Sequence, residues 1–132
     1  MKYMLDTDIC IYLIKNKPEG VLENLKAKMG EGIALSAVTL AELEYGVQGS
    51  AYPEKNTVAL HQFLALASVL PFGDSAAVEY GKLRALLKKS GGLIGPLDML
   101  IAAHALSERL TLVTNNTREF TRVQGLDVEN WA

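Results

Sequence analysis

Four polar residues carry the chemical interest of this sequence: Asp6, Glu42, Asp98 and Asn116, each placed where a strand should end or a helix begin. Asp98 is enclosed by Ile94-Gly95-Pro96-Leu97 and Met99-Leu100-Ile101, an apolar setting in which an unpaired carboxylate is costly. Asp6 directly follows the apolar run Tyr3-Met4-Leu5. Taken singly, each acid also fits as an N-cap or first-turn residue favoured by the helix dipole and its free N–H groups. Taken jointly, carboxylates converging at strand ends make a hard-cation site, because magnesium and manganese prefer oxygen ligands. In such a site the cation lowers the pKa of a water, orients an in-line attack and neutralises charge developing on a phosphate. Cys10, His61 and His104 show neither zinc-ligand spacing nor a nucleophile and base arrangement, and are assigned to structure.

The elements that must position these residues follow from hydrophobic pattern and helix signals. Residues 2–5 read as a buried strand ending at Asp6, with Asp8 or Thr7 capping a helix that runs through Ile14. A second helix is predicted over 18–29, stopped by Gly30 and Gly32 before a strand over 33–36. Thr39 has the N-cap type and Glu42 lies three residues on, the capping-box spacing, which puts Glu42 in the first turn of a helix over 40–47. Further helices are predicted over 53–67, over 74–90 with Asp74 as cap, and over 96–106 with Asp98 in the first turn. Short strands at 68–72, 110–114 and 126–128 complete the set, and Asn115-Asn116-Thr117 reads as a polar turn. Strands alternating with helices imply an α/β fold, three layers α/β/α around a central, mostly parallel sheet of four to five strands. Ligands of such sheets bind beyond the carboxyl ends of the strands, where Asp6 and Asn116 stand.

Composition sets the outer bounds. A chain of 132 residues, 49% apolar along its whole length, is expected to form one domain over 1–132, with its site on the core fold. The single cysteine excludes an internal disulfide. No apolar run approaches the roughly 20 residues that span a bilayer, and no signal region opens the chain, so an intracellular, cytoplasmic protein is expected. A net charge of −2 excludes a general nucleic-acid coating protein but not a nuclease, whose acidic site lowers the total while local Lys and Arg still bind phosphate.

Four segments in order carry a resemblance: Met4-Leu5-Asp6-Thr7-Asp8-Ile9; Ser36-Ala37-Val38-Thr39-Leu40-Ala41-Glu42-Leu43 with Gly46; Ile94-Gly95-Pro96-Leu97-Asp98-Met99-Leu100-Ile101-Ala102; and Leu112-Val113-Thr114-Asn115-Asn116-Thr117-Arg118-Glu119-Phe120. Over essentially its whole length the chain resembles the PIN-domain ribonucleases, specifically the VapC toxins of bacterial toxin–antitoxin pairs. The resemblance implies that Asp6, Glu42 and Asp98 hold the metal and that Asn116 stands in the place of a fourth acid. Many members have Asp there; Asn offers a neutral carbonyl and an amide, which makes one tightly held metal the safer expectation over two. Glu119 is a secondary candidate for a metal-water role, set against simple pairing with Arg118 or Arg122. Asp8 reads as a helix cap rather than a ligand, and Thr114 as a hydrogen-bonding support for an active-site carboxylate.

The resemblance further implies a magnesium-dependent toxin endoribonuclease, with manganese able to substitute, that cuts structured RNA, tRNA foremost, and inhibits translation and growth. It also implies a cognate VapB-type antitoxin and a homodimer, for which Tyr45, Val47, Tyr52, Leu60, Phe63, Leu64 and Leu66 supply apolar surface. Candidates for RNA phosphate contact are Lys15, Lys17, Lys82, Arg84, Lys88, Lys89, Arg118 and Arg122. Two rival readings stand beside this one. Asp6-Thr7-Asp8 after an apolar strand fits a phosphatase with Asp6 as nucleophile, although Asp8 running straight into a helix argues against it. Asn116 alone favours a non-catalytic PIN-like module that binds RNA or protein.

Overall fold

The computed structural model describes residues 1–17 and 19–132, so the expected helix start at Pro18 lies outside the described residues. Strand β1 (Tyr3–Leu5) is buried along its length because it runs through the middle of the sheet. The other strands are β2 (Ile33–Ser36), β3 (Ser68–Leu70), β4 (Thr111–Val113) and β5 (Val128–Glu129). They assemble in the order β3-β2-β1-β4-β5, and every pairing is parallel. Parallel neighbours need crossover connections, which the helices provide: α1 (Thr7–Lys15), α2 (Glu19–Lys28), α3 (Ala37–Gln48), α4 (Pro53–Leu64), α5 (Asp74–Ser90), α6 (Pro96–Glu108) and the short α7 (Thr117–Phe120).

Side chains alternate across each strand, so the sheet builds two cores. Tyr3, Leu5, Leu35 and Val113 pack with Ile9, Val21, Leu43 and Leu60 from α1 to α4. Met4, Ala34 and Leu112 face the other way, against Leu83 and Leu87 of α5 and Met99, Ile101 and Ala105 of α6. This is the expected three-layer α/β/α arrangement, with the sheet wholly parallel among the described strands.

Several local expectations are corrected. Helix α1 is capped by Asp6 itself, whose carboxylate accepts from Thr7 N, not by Thr7 or Asp8. Helix α3 begins at Ala37 with Ser36 as its cap, so Thr39 and Glu42 form no capping box and Glu42 lies beyond the first turn. The cause is the sheet: β2 stays paired with β3 as far as Ser36, and the chain turns into helix at once. Gly73, not Asp74, caps α5, and the polar turn at 115–117 leads directly into α7. Several predicted ends were also too long, notably 53–67 against a helix that stops at Leu64.

Candidate active site

The strand order reverses at β1. The chain steps outward through β2 and β3 and returns to place β4 on the other side, which opens a crevice at the carboxyl ends of β1 and β4. The register pairs Leu5 with Val113, so the next residues, Asp6 and Thr114, come side by side although 108 positions separate them in sequence. Asp6 N donates to Val113 O at 2.8 Å, and Thr114 Oγ1 donates to Asp6 Oδ2 at 2.8 Å. With Thr7 N on Oδ1, also at 2.8 Å, both carboxylate oxygens of this buried acid are oriented.

Asp8 lies one step along α1. It accepts from Ile9 N at 2.7 Å and from Asn115 N at 3.0 Å, so it ties the start of α1 to the β4 exit loop. Both contacts favour the charged carboxylate over the proton-donating form that a phosphatase would need of it. Glu42 projects from α3 toward α1, where Thr7 Oγ1 donates to Glu42 Oε1 at 2.7 Å. The sequence offers Thr7 as a helix cap and not as a partner of Glu42; its signal for the site is a hydroxyl between two acids, which is too common to be decisive.

Asp98 enters from the start of α6, opposite α7. Glu119 does not pair with either neighbouring arginine. It accepts from Gly95 N at 3.0 Å and from Asn116 Nδ2, which buckles the 93–95 loop to the β4 exit. A Cβ added at Gly95 would lie 3.3 Å from Asp98 Oδ2 and 3.9 Å from Glu119 Oε1, so these carboxylates and the glycine share one tight corner. Asn116 uses its amide on Glu119, while its N–H donates to Thr114 Oγ1 at 3.0 Å.

Electrostatics bind these acids into one unit. Burial pushes Asp6 up to about 6, with the Asp8 charge and, less, the Glu42 charge adding to it. Asp98 rises to about 7, first through burial and then through the charges of Glu119, Asp6 and Glu42. Asp8 is raised as well, chiefly by burial. Each rise measures the cost of holding negative charge here without compensation. Among the described residues the one ion pair is Lys2–Glu31, at the opposite end of β1, so no cationic side chain pairs with the cluster. An oxygen-only donor set with uncompensated negative charge fits a hard divalent cation. Among the described residues no three of the acids close into a ligand cage by themselves, and Glu42 is held by Thr7 rather than turned onto Asp6.

Cys10 and His104 are buried, in keeping with structural roles; burial pushes the Cys10 thiol well up and the His104 imidazole down. His61 is exposed on α4.

A parallel α/β/α sheet with a carboxylate cluster at its switch point defines a class: α/β proteins with an acidic site suited to a hard divalent cation. Residues 3–126 match the PIN domain family. The chain is 46% identical to the tRNA(fMet)-specific endonuclease VapC of Shigella flexneri, over 100% of this chain and 99% of that one. It is equally 46% identical to ribonuclease VapC2 of Haemophilus influenzae, over 99% and 98% of the two chains. Among solved structures, VapBC2 from Rickettsia felis bound to a promoter DNA fragment superposes with a TM-score of 0.95 at 42% identity, covering 100% of both chains. The chain belongs to the PIN-domain family, in the branch of the VapC ribonucleases. Nucleases of this family use a divalent metal, the group for which the donor set above is suited.

Proposed function

We propose that this chain, as one domain over residues 1–132, is the toxin of a VapBC-type pair. It is a cytoplasmic endoribonuclease that hydrolyses tRNA with magnesium, manganese substituting, and so arrests translation and growth. The observation that carries the reading is the uncompensated cluster of Asp6, Glu42 and Asp98 at the switch point of the sheet. Initiator tRNA is the first substrate to test, because relatives from Shigella flexneri and Salmonella typhimurium, at 46% and 42% identity, bear the name tRNA(fMet)-specific endonuclease.

Asp6, Glu42 and Asp98 would hold the cation, which when bound supplies charge neutralisation at the phosphate and lowers the pKa of a water. Thr7 N and Thr114 Oγ1 fix the Asp6 carboxylate in advance, so its orientation costs nothing at the moment of reaction. Asp8 and Glu119 add negative charge beside the ligands and brace the loops that carry them. Asn116, with its amide engaged by Glu119, has its carbonyl oxygen to offer, which favours a single tightly held cation. Attack by water on phosphorus, in line with the departing 3′ oxygen, breaks the P–O3′ bond and leaves a 5′ phosphate and a 3′ hydroxyl. No ribose 2′ hydroxyl takes part.

The partner is a VapB-type antitoxin. A cleft of about 330 Å³ beside Glu42, lined by Ile11, Ile14, Leu43, Val47 and Leu60, offers an apolar seat for it at the edge of the site. Tyr45, Tyr52 and Leu66 remain exposed and suit a homodimer or antitoxin contact, whereas Val47, Leu60 and Phe63 belong to the core. No helix among the described residues is long and apolar enough to cross a membrane.

The test is incubation of the purified protein with initiator tRNA in magnesium, followed by mapping of both new ends. Wild type should leave 5′ phosphates, and Asp6→Ala and Asp98→Ala should leave the RNA whole. Intact tRNA with wild type in either metal would favour a non-catalytic binding module, and cyclic phosphate ends would refute the hydrolytic route.

A further inference from the structure

Next to the carboxylate cluster lies a separate depression of about 300 Å³, with Leu93 and Gly95 on one side and Asn116, Arg118, Glu119 and Arg122 on the other. It shares a wall with the active site, since Gly95 and Glu119 border both. We propose that Arg118 and Arg122 form a phosphate subsite that holds the RNA backbone beside the scissile bond. The proposal rests on the nuclease reading above and deepens it by assigning where the substrate strand is gripped.

The argument begins from charge. Asp6, Asp8, Glu42, Asp98 and Glu119 present a concentration of negative charge to a polyanion, in a chain whose net charge is −2. RNA approaches such a site only where local positive charge offsets the repulsion. Arg118 and Arg122 are the cations that line this depression.

Their pairing is the second observation. Arg122, three residues beyond Glu119, would ordinarily pair with that carboxylate, yet Glu119 is turned onto Gly95 N and Asn116 Nδ2 instead. Neither arginine forms an ion pair among the described residues. Arg122 is lightly tethered instead: its Nη1 donates to Leu93 O at 3.4 Å across the depression. A guanidinium with no ion-pair partner and most of its donors uncommitted matches a phosphate bidentately. Glu119 joins the two halves through Gly95 N and Asn116 Nδ2, so that a phosphate gripped at the arginines sits beside the 93–95 loop that leads into the helix carrying Asp98.

The test compares wild type with Arg118→Gln, Arg122→Gln, the double variant, and Lys2→Gln as a control at the far end of β1. Binding of initiator tRNA is measured in chelator across a salt series, and cleavage of tRNA and of a dinucleotide is measured in magnesium. The double variant should bind tRNA about tenfold more weakly and lose roughly one unit of salt slope per arginine. Its KM for tRNA should rise with kcat changed less than about twofold, dinucleotide cleavage should be unaltered, and Arg118→Lys with Arg122→Lys should recover most of the salt slope. Lys2→Gln should behave as wild type. Affinity, salt slope and KM unchanged in the double variant would overturn the subsite while leaving the nuclease reading intact. Arginine-dependent binding without cleavage by wild type would sustain the subsite and overturn the nuclease reading. Should Arg122→Gln lower the Tm through loss of the Leu93 contact, Arg118→Gln, which carries no such contact, decides the matter alone.

Discussion

The orientation of Asp6 depends on a hydroxyl from a different strand. Thr114 is wholly buried and donates to Asp6 Oδ2, so Thr114→Val preserves shape while removing the donor. Supports of this kind typically matter 10- to 100-fold, and a loss of about that size in magnesium-dependent tRNA cleavage is expected, read as initial rates at saturating RNA. Asn116 behaves differently from the neutral stand-in that its residue type suggests. Its amide is the donor that holds Glu119, and Glu119 in turn holds Gly95 N beside Asp98. Asn116→Asp therefore sets two like charges in contact and releases that buckle. The metal-free variant should melt below wild type, and saturating magnesium should narrow the difference; equal melting without metal would remove Asn116 from this role.

Helix α3 delivers Glu42, and its start is governed by Ser36 at the end of β2. Ser36 Oγ accepts from Val38 N at 3.1 Å and sits 2.7 Å from Nδ1 of the buried His104. That hydrogen bond ties the α3 cap to the buried imidazole, and burial lowers the His104 pKa, which favours its neutral form. Ser36→Ala removes the cap and leaves Nδ1 unpartnered in the core. A loss of about 1–3 kcal/mol is expected from the urea midpoint at unchanged m-value. Local spacing favoured Thr39 with Glu42, but pairing of Ser36 with Leu70 across β2 and β3 decides where the strand stops. That correction frees Glu42 from capping and leaves its carboxylate to Thr7 and the site.

Across the whole molecule the acid cluster links stability to pH and metal. Asp6 titrates at about 6 and Asp98 at about 7 in the folded chain, both above the ordinary value of 3.8. Between those values the native state binds more protons than the unfolded chain, so stability falls as pH rises through the two folded pKa values and is greatest below the ordinary one. In chelator the Tm at about pH 5 should exceed that at about pH 8, and Asp98→Asn should flatten the difference. A divalent cation should raise the Tm at the higher pH and have little effect at the lower, where protons compete for the same oxygens. Calorimetry at both pH values, with and without magnesium, checks each part; a metal effect of equal size at both would separate these acids from the cation.

The sequence by itself determined the succession of strands and helices, because apolar alternation, Pro and Gly signals and helix periodicity are local properties. It therefore determined the parallel α/β class, and it placed Asp6 and Asp98 at the ends of elements. Only the tertiary structure decided which ends meet. The order β3-β2-β1-β4-β5 and the Leu5–Val113 register bring Thr114 onto Asp6, and α7 brings Glu119 to Asp98 and Gly95 rather than to its arginine neighbours. Those contacts join residues far apart in the chain through packing of the whole sheet, and no local pattern encodes them.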